Sequence, residues 1–229
     1  MTGVITRLIA VTLLATSAPA VAQSASLDDL VRVSSGRAGA LYLRPHADFR
    51  AYSKVMLQPS EIAFDKDWAR DFNRSTRSLR NRVSDQDARR AIEEWQPRVD
   101  RIFADAFTRN ALAPVAEAGP DVLMIRPVII NVRVTAPERP ASGRVRTFAR
   151  EAGSATLVLE ARDSLTRQLV GVAVENRVAG DISSAIPRTS VSNASDFERL
   201  ARDWATSAAR GLTRLQAAAP VDNAGRWAR

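Results

Sequence analysis

Two closely spaced carboxylate pairs are the first residues in this chain whose type and spacing suit chemistry: Asp65 and Asp67 around Lys66, and Asp85 and Asp87 around Gln86. Such pairs can hold a hard cation such as calcium, or share acid and base work in glycoside hydrolysis when about 5–9.5 Å apart. Neither pair is followed by the Gly and Glu that an EF-hand loop requires at fixed distance. Asp85 and Asp87 have a simpler role as first-turn acids at the positive end of a helix. Glu93 and Glu94 are helix neighbours and point in different directions. His46 is the only histidine and there is no cysteine, so an ordinary zinc site has too few ligands. A Ser-His-Asp arrangement would need His46 to find both partners, and no Gly-x-Ser-x-Gly elbow is present. Glycine-rich phosphate loops and a Walker lysine are also missing. These patterns assign no catalytic, metal or cofactor residue.

Charge offers the second kind of candidate. The chain carries 33 basic and 25 acidic residues for a net charge of +8, and Lys54 and Lys66 are the only lysines. Arg139, Arg144, Arg146 and Arg150 crowd a Pro- and Gly-containing connection, residues 136–153. Arg70, Arg74, Arg77, Arg80 and Arg82 crowd the segment after Trp68, the first three at spacings that would share one helix face. Either cluster, with Trp68, is a candidate surface for another envelope protein or an anionic envelope surface. The competing reading is coding bias toward arginine, since the basic residues are scattered among acids. Nucleic acid is not an expected partner, because the aromatics fall at helical core spacing instead of interleaving with basic residues on a strand.

The elements that must position these residues follow from periodicity. Residues 52–57 read as a first strand, with Ile62 and Phe64 continuing it beyond Pro59. Ser84 with Asp87 three residues later is a helix start. Ile92, Trp95, Val99, Ile102, Phe103 and Ala106 then form one apolar face, ending near Asn110, and Pro97 predicts a kink or a second start. Residues 121–134 are the strongest strand, with Pro127 predicting a bulge or an edge. Residues 155–161 and 169–178 form a hairpin across a polar connection. Ser195 and Glu198 predict the start of a closing helix whose apolar stripe carries Phe197, Leu200, Trp204, Leu212 and Leu215. The expected fold is α+β: a mostly antiparallel sheet of about four strands with two main helices on one face, in the order strand-helix-strand-strand-strand-helix.

The amino-terminal stretch sets a compartment. Arg7, an apolar run over residues 8–15 and an Ala20-Val21-Ala22 exit match a secretory signal peptide. The expected organisation is residues 1–22 as signal peptide, 23–40 as flexible leader, 41–217 as a single α+β domain and 218–229 as a disordered tail. A periplasmic or secreted location follows, with no transmembrane span in the mature chain and, without cysteine, neither disulfides nor a lipid anchor.

Residues 52–57 (Tyr-Ser-Lys-Val-Met-Leu), followed by Phe64-Asp65-Lys66-Asp67-Trp68, resemble the opening of the bacterial envelope domain-of-unknown-function family 3313. The hairpin and closing helix suit the same family, so the resemblance spans roughly residues 41–217. It implies an exported protein, often lipid-anchored in that family, and it transfers no catalytic residue; Gln23 stands where the anchoring cysteine would be. The reading that emerges is a non-enzymatic interaction or accessory module binding another envelope component. Its alternative is a hydrolase of an envelope polymer working through Asp65 and Asp67.

Overall fold

The computed structural model describes residues 29–33, 39–75, 82–112, 114–135, 152–180 and 193–228 in full, and the backbone of 147–149, 186–188 and 190–192. Its main sheet has seven strands: β1 (Val31–Val33), β2 (Ala40–Leu43), β3 (Lys54–Leu57), β4 (Glu61–Phe64), β5 (Val122–Val134), β7 (Gly153–Asp163) and β8 (Leu169–Ala179). They run in the order β1-β2-β8-β7-β5-β3, and β4 also pairs with β5. A separate two-stranded ladder joins β6 (Thr147–Ala149) to β9 (Ile186–Arg188). The helices are α1 (Trp68–Ser75), α2 (Asp85–Arg109) and α3 (Ser190–Ala217). The α+β class agrees with the sequence reading. The sheet corrects it: there are seven strands instead of about four, and β3 and β4 pair parallel to β5, so the sheet is mixed.

Pro127 explains how β3 and β4 share one neighbour. Ile125 O accepts from Gln58 N at 2.8 Å on the β3 side. Two residues on, Pro127 faces the same side, where it has no N–H to offer. β3 has ended opposite Ile125 and β4 begins opposite Val128, so the missing donor falls in the step between them. The expected continuation of one strand through Pro59 is therefore two strands. Asp100 on α2 pins the link between them by accepting from Ser60 N at 2.7 Å. The register shift in β5 lies further on, between Ile130 and Arg133.

The main core lies between the sheet and the two long helices. α2 contributes Val99, Ile102, Phe103 and Phe107; α3 contributes Leu200, Trp204 and Leu212; the strands contribute Leu123, Ile125, Ile129 and Leu157. α2 starts as its sequence predicts: Ser84 Oγ accepts from Asp87 N at 3.2 Å, and Asp87 Oδ2 accepts from Ser84 N at 2.9 Å. It then runs unbroken through Pro97 to the Asn110 cap as one helix of 25 residues. α3 begins at Ser190, before the predicted start, so Ser195 lies within it and Glu198 pairs with Arg202 instead of capping.

Both ends of the expected domain are also more ordered than their composition predicts. Residues 31–33, inside the expected leader, form the edge strand β1 with Val33 buried. Residues 218–228, the expected tail, are held by Asp222, whose Oδ1 accepts from Ala224 N and Arg226 N at 2.8 and 2.9 Å. Val221 is buried and its carbonyl accepts from His46 N at 2.8 Å. At the carboxyl end local side-chain-to-backbone bonds supply that order, and at the amino end β1 is held by its antiparallel ladder to β2. Among the described residues no helix is long and apolar enough to cross a membrane.

Candidate functional site

A cleft of about 470 Å³ opens where the amino-terminal halves of α2 and α3 lie over β4 and β5. Its cause is side-chain size. Farther along the helices Ile102, Phe103 and Phe107 meet Trp204 and Leu212 in one packed cluster. Nearer their starts, Ala88 and Ala91 on α2 and Ala194 and Ala201 on α3 line the cleft, and the space between sheet and helices stays open. Ile62, Ile129 and Val132 provide the sheet wall.

Aromatic rings give the cleft its shape, and three of the four tryptophans line it. Trp68 is buried, stacked on Phe64 at 4.5 Å with 18° between the planes, and its Nε1 donates to Val134 O at 2.9 Å. Trp95 on α2 carries the Arg98 guanidinium over its ring at 5.6 Å. Trp204 on α3 is only 2% exposed, and among the described residues its Nε1 has no hydrogen-bond partner. A buried donor left unsatisfied costs about 1–3 kcal/mol, so this is a strained place in the wall.

Polar groups are few: the buried Asn193 lies in the wall and the charged residues sit at the rim. Asp87 is engaged in the helix cap, and Glu94 is paired with Arg98. Arg90 is exposed and, among the described residues, has neither an ion pair nor a hydrogen bond. It is the only cation among the described residues that line the cleft.

The residues singled out by sequence distribute differently. Trp68 is buried and forms part of the wall of the cleft. Arg70 is exposed but paired with Asp67 at 2.9 Å and Asp71 at 3.3 Å. Arg74 is exposed at the end of α1. Arg77 and Arg80, and the loop arginines Arg139, Arg144, Arg146 and Arg150, lie outside the described residues. Asp65 accepts from Arg133 at 2.9 Å and from Asp67 N at 3.0 Å, and neither aspartate lines the cleft. His46 occupies a turn with φ of 61°. Among the described residues no group of three or more His, Cys, Asp and Glu could hold a metal ion.

Sequence reasoning placed Trp95, Phe197 and Trp204 on apolar faces and took those faces as filled. What it missed was the size of the alanines on or beside those faces, Ala201 of the α3 stripe among them, too small to fill the space that the aromatics frame. It also missed a smaller hollow of about 270 Å³ on the opposite sheet face. There Glu160 accepts from Arg126 at 3.2 Å and from Arg162 at 3.3 Å, while Arg126 also faces Glu61 at 3.6 Å. Only the cross-strand register, with Arg126 opposite Glu160, brings these charges together.

Among solved structures, the PelC dodecamer from Paraburkholderia phytofirmans matches at 9% identity and a TM-score of 0.36, covering 77% of this chain and 96% of that one. Protein XCC0632 from Xanthomonas campestris matches at 13% identity and a TM-score of 0.35, covering 82% and 93% respectively. No curated protein matches. The family described as Protein of unknown function (DUF3313) matches residues 20–208, most of the described fold and every wall of the cleft, and the chain belongs to that family.

Proposed function

We propose that this protein is an exported, non-enzymatic module of the cell envelope that binds another envelope component, holding an apolar part of it in the cleft between α2 and α3. The observation that carries the reading is the cleft itself: about 470 Å³, walled by Phe64, Trp68, Trp95 and Trp204, with few polar groups among its described lining. Small-molecule sites span about 300–1,000 Å³ and share this apolar lining with few polar groups. The signal-peptide pattern of residues 1–22 supports the compartment. The hydrolase alternative draws no support from Asp65 and Asp67, each held by its own arginine away from the cleft.

The test is binding of an environment-sensitive naphthylamine dye to the purified protein, with blue-shifted emission expected. Ala91→Trp, which places bulk inside the cleft, should abolish the signal while the melting transition remains cooperative. A wild-type protein that leaves the dye emission unchanged would remove the cleft as a binding site. Cell fractionation that finds the protein in the cytoplasm would remove the compartment.

A further inference from the structure

The rim of the cleft carries one guanidinium that no described partner engages. Among the described residues three charged side chains line the rim, all on α2: Asp87 accepts in the helix cap, Glu94 pairs with Arg98, and Arg90 lies between them. Arg90 is left as the exposed charge without an ion pair among the described residues. Below it lies an aromatic and aliphatic interior lined by Trp68, Trp95 and Trp204. An apolar interior calls for a hydrocarbon occupant, and the unpaired guanidinium for an anionic head. We infer that the cleft takes a single-chain anionic amphiphile, its chain between the tryptophans and its carboxylate or phosphate at Arg90. This rests on the cleft being a binding site, as proposed above, and adds the chemical class of the occupant.

Guanidinium suits this role because its planar fork pairs with either oxyanion and stays charged at every physiological pH. A polypeptide helix offers no single anion to one rim position, so the unpaired guanidinium beside an apolar interior favours the amphiphile. Fatty acids and lysophospholipids share the required chemistry, and they differ in the head group alone.

Dibromostearate tests the inference, because bromine quenches indole emission on contact and Trp68, Trp95 and Trp204 line the cleft. The expected result is saturable quenching by dibromostearate, weakened about tenfold or more in Arg90→Glu, the loss of one charge-assisted pair. Dibromostearyl alcohol, the neutral counterpart, should bind the wild type more weakly and be indifferent to Arg90→Glu. Displacement by lysophosphatidylglycerol would identify a phosphate head as acceptable; displacement by stearate alone would restrict the site to carboxylates. Arg90 is exposed, so its variant is expected to fold, and a melting curve checks this. Equal binding of acid and alcohol, untouched by Arg90→Glu, overturns the anionic head and leaves the apolar cleft standing. Failure of both brominated probes and of the naphthylamine dye overturns the cleft as a site altogether.

Discussion

Tyr52 donates its hydroxyl to Asp163 Oδ2 across 3.2 Å, tying the segment before β3 to the turn that joins β7 and β8. Burial first, and then the Asp163 charge and this bond, push the phenol from 10.0 up to about 12. Burial opposes the charge on Asp163, but donors from Thr166, Tyr52 and Leu165 outweigh it, and the carboxyl sits below its ordinary value. For Tyr52 the folded state keeps a proton that the unfolded chain loses, so its contribution is full below pH 10 and fades as pH approaches about 12. For Asp163 the contribution is present above the ordinary carboxylate value and fades as pH falls through the lowered one. Tyr52→Phe should flatten the alkaline loss of stability relative to wild type in urea melts run across pH. An alkaline limb identical in the two proteins would contradict this pairing.

Trp204 is expected to separate bulk from polarity. Trp204→Ala should cost about 3–5 kcal/mol, as buried aromatic truncations do. Trp204→Phe keeps most of the apolar volume and deletes a donor that has no partner among the described residues, so its cost should be about 1 kcal/mol or less. Denaturant midpoints of the two variants decide the matter; equal losses would mean that the indole N–H is satisfied.

Two glycines should respond in opposite directions to alanine. Gly225 has a φ of +72°, and a Cβ there would lie 2.3 Å from Arg32 O on β1. Gly225→Ala should therefore destabilise by about 1 kcal/mol or more and speed proteolysis of the carboxyl-terminal segment. Gly211 lies inside α3, and a Cβ added there would meet nothing within 4 Å. Gly211→Ala should raise stability by up to about 1 kcal/mol through helix propensity. Thermal melts of both variants give the comparison.

Ser84→Ala removes the hydroxyl that accepts from Asp87 N and should cost about 0.5–2 kcal/mol. Because Asp87, Ala88 and Ala91 line the cleft within the first turns of the same helix, dye affinity should fall together with stability. Intact dye binding in a destabilised Ser84→Ala protein would show that the cleft does not depend on this helix end.

How much was legible depended on whether the signal was local. α2 with its cap, the β7–β8 hairpin and the apolar stripe of α3 were readable because capping pairs and periodicity lie within a few residues of each other. The edge of the sheet was not: the parallel pairing of Lys54 with Val122 and of Glu61 with Val128 is set by contacts more than sixty residues apart. β1 is three residues long, too short for any period to register. The cleft was half legible. Its aromatic positions were identified, but an apolar face looks the same in sequence whether it is filled by a neighbour or left open by alanines.

The shared edge at Pro127 also bears on the order in which the chain assembles. β7 and β8 meet across a short turn and β5 pairs antiparallel with β7, so this central ladder closes small loops. β3 and β4 must wait for α1 and α2 to be spanned before either finds β5, a larger loop-closure cost for fewer paired residues. They should join late and detach first, exchanging amide hydrogens ahead of β5, β7 and β8. Ile62 and Phe64 on β4, with Trp68 on α1 just after it, belong to that late-joining stretch and form one side of the cleft. The cleft thus has a hinge-free way to open: one wall can peel from the sheet by local unfolding while the rest of the core stays intact.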